Sequence, residues 1–101
     1  MRIAWSDRAL GRVRETARYI AADDPAAAVR WAEGLFDAVA RLADFPESGR
    51  IAPELEGRDV RDLVHGAYRV FYRVDEGAVL ILTVRHAGQL VREGEVGEGR
   101  T

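Results

Sequence analysis

Along the first half of the chain apolar residues recur every three or four positions; along the second half they recur every two. Leu10, Val13, Ala17 and Ile20 fall on one face of an amphipathic helix running to about Ala22, with Arg8, Arg12, Glu15 and Arg18 opposite. Ser6 stands where an N-cap belongs, and Asp7 lies in the first turn, where the helix dipole favours an acid. Asp23-Asp24-Pro25 restarts the chain, because Asp24 can cap and Pro25 suits a first helical position whose N–H has no partner. The second helix carries Ala28, Trp31, Ala32, Leu35, Phe36, Val39 and Leu42 on one broad stripe. It ends near Ala43, since Pro46 disfavours helix at the residue before it. So short a turn folds the two helices into an antiparallel hairpin.

Ahead of the helices, residues 2–5 read as a short strand with Ile3 and Trp5 on one side. Behind them, residues 44–57 contain Pro46, Gly49, Pro53 and Gly57 and read as a long connection. The period then becomes two. Residues 60–64 predict a strand ending at His65-Gly66, and Tyr68, Val70, Tyr72 and Val74 alternate with Arg69, Phe71 and Arg73. Asp75-Glu76-Gly77 predicts a hairpin turn. Residues 78–84 are nearly all apolar, as in a strand covered on both faces, and Arg85 and His86 close it. The order β-α-α-β-β-β is α+β: a two-helix hairpin on a mainly antiparallel sheet, with the first strand added at an edge. Neither half buries its apolar face alone, so 1–91 is read as one domain. The sequence from 92 to 101, rich in Gly and Glu, predicts a disordered tail.

Composition narrows the function. With 101 residues the chain suffices for one core. It has no cysteine, which excludes disulfides and Cys-based zinc sites and fits a reducing cytoplasm. No apolar run approaches the roughly 20 residues that span a bilayer, so no membrane partner is expected. The net charge is −2, whereas a domain that grips nucleic-acid phosphates usually carries a positive excess. All 15 basic residues are arginine, whose planar fork suits carboxylate and phosphate partners. No metal cluster, phosphate loop or nucleophile triad is visible in the sequence, and no cofactor is expected.

Taken in order, several short pieces resemble the RelE/ParE superfamily of type II toxins. They are Trp5-Ser6, Ala28, Leu42 with Pro46, Gly49-Arg50 and Val60-Arg61-Asp62-Leu63. The longest are Tyr68-Arg69-Val70-Phe71-Tyr72-Arg73-Val74 and Ile81-Leu82-Thr83-Val84-Arg85-His86. The resemblance runs from Ile3 to about His86. It implies a cytoplasmic toxin held inactive by a cognate antitoxin, touching DNA only through that antitoxin.

The superfamily has two chemistries. RelE-like members cut messenger RNA on the ribosome; ParE-like members are reported to block DNA gyrase and have no known hydrolytic activity. RNA cleavage needs a base for the 2′-hydroxyl, cations for the phosphate and an acid for the leaving group. The resemblance offers Arg61, Arg69, Arg85 and His86 for those tasks, with Glu54 in the preceding loop. Family ribonucleases usually carry an aromatic or polar group just after the histidine, where this chain has Ala87 and Gly88. That departure and the acidic balance put the ParE-like reading first and the ribonuclease second.

Antitoxin contact is expected at Tyr68, Arg69, Tyr72 and Arg73, along the hairpin–sheet groove and an open sheet edge. Structural roles stand beside these. Tyr68 and Tyr72 could be packing residues, Arg69 could bond a loop carboxylate, Arg61 could pair with Asp75 or Glu76, and His86 could be a hydrogen-bonded strand end.

Overall fold

Ser6 joins the first strand to the first helix in the computed structural model of the chain, which describes residues 1–91 and 93–96. Its Oγ accepts the Ala9 N–H at 3.0 Å and donates to the Leu82 carbonyl at 3.0 Å, so the cap also ties the helix to the sheet. Strand β1 (Arg2–Trp5) precedes it and α1 (Asp7–Ala21) follows. Helix α2 (Pro25–Ala40) starts where the Asp24 carboxylate accepts the Ala27 N–H at 3.1 Å. A 3₁₀ turn, Arg41–Ala43, tightens its end.

Strands β2 (Arg50–Ile51), β3 (Arg61–His65), β4 (Tyr68–Asp75) and β5 (Ala78–His86) complete a five-stranded sheet of order β1-β5-β4-β3-β2. β1 lies parallel to β5 and every other pairing is antiparallel. This is the expected α+β architecture with the first strand at an edge. β2 lies inside the stretch read as a plain connection; two residues are too few to show a period, and they form a strand because Arg50 pairs opposite Asp62. The β4–β5 turn holds Glu76 at φ 36° and Gly77 at φ 81°, the two left-handed residues of a type I′ hairpin.

Opposite β4, β5 carries one extra residue. Phe71 faces Thr83 and Tyr72 faces Ile81, which leaves Leu82 as a bulge. The alternation slips there: Ile81 and Val84 both face the helices, while Leu82 and Thr83 both face away. Two cores result. Ala9, Val13, Leu35, Val39 and Leu42 meet Val70, Tyr72, Val79, Ile81 and Val84 on the helix side. On the other side Ala52, Leu55, Val60, Phe71, Leu82, Val91 and Val96 form a second cluster roofed by loops. Residues 78–82 of β5 are all apolar because both faces of the strand are covered there.

The chain end differs from expectation over four residues. Glu93–Val96 forms one helical turn, α3, where the sequence pattern predicts a disordered tail. Its anchors are tertiary and invisible to local pattern: Val96 is 1% exposed in the second cluster, and the Glu95 side chain bonds into β5. The rest of that tail, 92 and 97–101, lies outside the described residues.

Candidate functional site

Strand alternation sends Arg69 to the loop-covered face, where its polar atoms are consumed within the chain. Its Nη1 and Nη2 donate to the two Glu54 oxygens at 2.8 and 2.9 Å, its Nε and Nη2 also meet Asp62, and the guanidinium lies 4.5 Å over the Phe71 ring. Asp62 also accepts from Arg50 Nε at 2.8 Å, and Glu54 accepts the Val91 N–H at 3.2 Å. Two arginines thus balance two carboxylates. The Arg69 hydrogen bond draws the Glu54 carboxyl down to about 2, and that same bond raises the Arg69 guanidinium.

A second network surrounds Glu95. One oxygen accepts from Arg85 Nε at 3.0 Å and Nη2 at 2.7 Å; the other accepts from Thr83 Oγ1 at 3.0 Å and Arg12 Nη2 at 3.4 Å. Burial pushes this carboxyl up, but the Arg85 and Thr83 bonds outweigh it and hold it below its ordinary value. Arg8 Nη1 donates to the neighbouring Gly94 carbonyl at 3.0 Å.

Tyr72 lies in the helix-side core, where burial raises its phenol pKa. Its hydroxyl accepts the Gly49 N–H and donates to the Pro46 carbonyl, both at 2.8 Å. A Cβ at position 49 would lie 2.6 Å from that hydroxyl and 2.7 Å from the Asp62 carbonyl oxygen, so the close approach requires glycine. Arg61 secures the same loop through Nη1 to the Glu47 and Gly49 carbonyls at 3.2 and 2.7 Å, and neither Asp75 nor Glu76 is its partner.

Tyr68 sits between His65 of β3 and His86 of β5. Trp31 meets its ring edge-on at 5.3 Å and His86 at 5.4 Å. His86 is exposed, and its Nδ1 accepts the Gly88 N–H at 3.2 Å. Arg73 is half-buried opposite Leu80.

The five residues considered for RNA cleavage therefore do not converge. Glu54 and Arg69 are paired on the loop-covered face, and Arg61 braces the 46–49 loop. Only Arg85 and His86 share a cleft, an open volume of about 350 Å³ between α1 and the ends of β4 and β5 that Arg12, Tyr19, Tyr68 and Gln89 also line. Of the four residues expected to meet an antitoxin, Tyr68 and Arg73 keep access to solvent, whereas Arg69 and Tyr72 are buried. Sequence reasoning missed Asp62, Arg12 and Glu95. Asp62 carried a signal, since alternation puts it on the same strand face as the apolar Val60 and opposite Leu63; Glu95-Val96 carried a weaker one, an acid beside an aliphatic in a Gly-rich stretch. Among the described residues no group of three or more His, Cys, Asp or Glu could hold a metal ion, and no helix is long and apolar enough to cross a membrane.

Residues 3–91 match the family described as ParE toxin of type II toxin-antitoxin system, parDE. The chain is 44% identical over 92 residues to Y4kP of Sinorhizobium fredii, covering 87% of this chain and 90% of that protein. It is 37% identical over 89 residues to toxin RelE2 of Caulobacter vibrioides, covering 87% and 97%. A solved structure, the chromosomal ParDE TA system from P. aeruginosa, shares the fold with a TM-score of 0.72 at 20% identity, over 85% of this chain and 95% of that one.

Proposed function

Because the chain belongs to the ParE toxin family of type II toxin–antitoxin systems, we propose that it acts in the cytoplasm without catalysis, by binding and inhibiting DNA gyrase. Membership itself implies a cognate antitoxin as partner. The observation that supports a non-catalytic action is the dispersal of the candidate ribonuclease set. Arg69 and Glu54 neutralise each other, Arg85 is held by Glu95, and His86 has neither arginine free beside it. General acid–base cleavage of RNA needs a base, an acid and a phosphate-binding cation on one site. The net charge of −2 adds to this, since a ribosomal site is lined by RNA phosphates.

The antitoxin arm is proposed to lie in the hairpin–sheet groove and along the outer edge of β1, which among the described strands pairs only with β5. Tyr68 is the contact available to it on the helix face, whereas Arg73 keeps access to solvent on the opposite face and Arg69 and Tyr72 lie buried within. DNA is reached through the antitoxin.

The test uses the purified chain in two assays. Gyrase supercoiling is expected to fall with added protein and recover on adding antitoxin, and message in a translating extract is expected to stay intact. Codon-position cuts that disappear in His86→Ala, with supercoiling unaffected, would overturn the proposal. They would install the second reading, ribosome-dependent cleavage, for which the observation is the relative named toxin RelE2.

A further inference from the structure

We propose that Arg12, Thr83 and Arg85 form a carboxylate receptor, filled in the isolated chain by Glu95, that exchanges this occupant for a glutamate-plus-aliphatic pair on an acidic segment of a protein partner. Both Glu95 oxygens are fully served, by two nitrogens of Arg85, the Thr83 hydroxyl and Arg12, and the Glu95 side chain is only 10% exposed. This is a built anion site of two guanidinium groups and a hydroxyl.

Its occupant is weakly tethered. α3 has four residues, one of them Gly94, so it has little helical stability of its own and depends on docking. The docking is long-range, to residues 12 and 10 positions away on β5 and 83 positions away on α1. Arg12 and Arg85 also line the open 350 Å³ cleft, which gives an incoming carboxylate a path to both guanidinium groups without crossing the core.

The chemistry of the occupant is set by what leaves with Glu95. Val96 is 1% exposed against the Phe71 and Leu82 cluster, so the vacated seat has an aliphatic compartment beside the carboxylate site. Arg8, which holds the Gly94 carbonyl, can hold the partner's backbone in the same way. A nucleic-acid phosphate would satisfy the arginines and leave the aliphatic compartment empty, which favours a protein segment. Tethering gives Glu95 an effective concentration on the order of millimolar, so a short free peptide loses to it. An arm anchored elsewhere on the chain does not. The proposal rests on the reading that a protein partner neutralises this chain.

The experiment uses the full chain and a labelled synthetic peptide of residues 90–97, followed by fluorescence anisotropy. Glu95→Ala is expected to bind the peptide about tenfold or more tighter than the unchanged chain. Adding Arg85→Gln to that variant is expected to remove the gain. Val96→Ser keeps every charge, loosens the same turn and is expected to raise affinity in the same direction; it carries the test if Glu95→Ala does not fold. Equal affinity for the unchanged chain and the loosened variant overturns the proposal. So does a gain that survives Arg85→Gln, or competition by inorganic phosphate as strong as by unlabelled peptide. Gyrase is absent from the assay, so a negative result leaves the gyrase reading to its own test.

Discussion

On the helix side of the sheet, Val70, Tyr72, Val79 and Ile81 meet Leu35, Val39 and Leu42 from two regular helices. On the loop side, Phe71 and Leu82 share their layer with Arg69, Asp62, Thr83 and Glu95, and the covering segments are a 3₁₀ turn at Pro53–Leu55 and the single turn of α3. Helix-side contacts are numerous and individually replaceable, because dispersion and burial are non-directional. The loop side depends on a few charge-assisted hydrogen bonds that hold only as complete sets, since one partner removed leaves the other buried and unpaired. The helix side is thus built for stability, whereas the loop side is fixed by matched charges and can be rearranged when one is supplied from outside.

The largest effect is expected at the centre of the charged layer. Asp62→Ala removes a side chain that is 0% exposed and serves both Arg50 and Arg69. Breaking a buried pair from one side costs about 4 kcal/mol, read as a lower urea midpoint. A loss below about 1 kcal/mol would show that water reaches Arg69 and that the loop side is no different from an ordinary surface. On the other side, Leu35→Ala empties a position that is 0% exposed and is expected to cost about 3 kcal/mol. That loss should be the same at pH 3 and pH 7, because no titrating group takes part.

Acid separates the two sides directly. The Glu54 carboxyl is held near 2 by Arg69, against an ordinary 4.5. A carboxyl depressed in the folded chain binds its proton later than in the unfolded chain. Its contribution is therefore complete above about pH 4.5 and is lost as pH falls through about 2, up to about 3 kcal/mol. Urea midpoints of the unchanged chain and of Glu54→Gln should converge across that window. Curves that stay parallel would mean that Arg69 does not stabilise the ionised Glu54.

What was legible in the sequence follows the same division. Ser6, Asp24-Pro25 and the stripe from Ala28 to Leu42 announced the helices because capping and period are local. The period-two run at Tyr68 announced β4 for the same reason. The pattern on 78–84 even implied cover on both faces, but it could not say what the second cover was. Loops carry no period, and β2, the Asp62–Arg69–Glu54 set and the Glu95 seat are made by residues up to 83 positions apart. The bulge at Leu82 was hidden in an unbroken apolar run, where a slip of alternation leaves no trace. Among the candidate residues, Arg69 and Arg85 were found as arginines of the right strands. For Arg69 a bond to a loop carboxylate was one of the readings, and Glu54 supplies it. Asp62 and the Glu95 partner of Arg85 were not foreseen, so an available cation and a spent one still looked alike.

Tyr72 joins the two sides and gives the smallest test. Its ring belongs to the helix-side core, while its hydroxyl holds the 46–49 loop that leads into β2 and the charged layer. Tyr72→Phe keeps the ring and leaves the buried Gly49 N–H and the Pro46 carbonyl without that partner. The expected cost is about 1 kcal/mol, with a change of local rather than global character. Hydrogen exchange should quicken at Gly49 and at the amides of β2, because the loop then rests more heavily on Arg61 and on the β2–β3 pairing. Exchange at Val70 and Ile81 should hold its rate. Uniform quickening across both sets would mean that the loop and the helix-side core open together, and the difference drawn between the two faces would not extend to how they unfold.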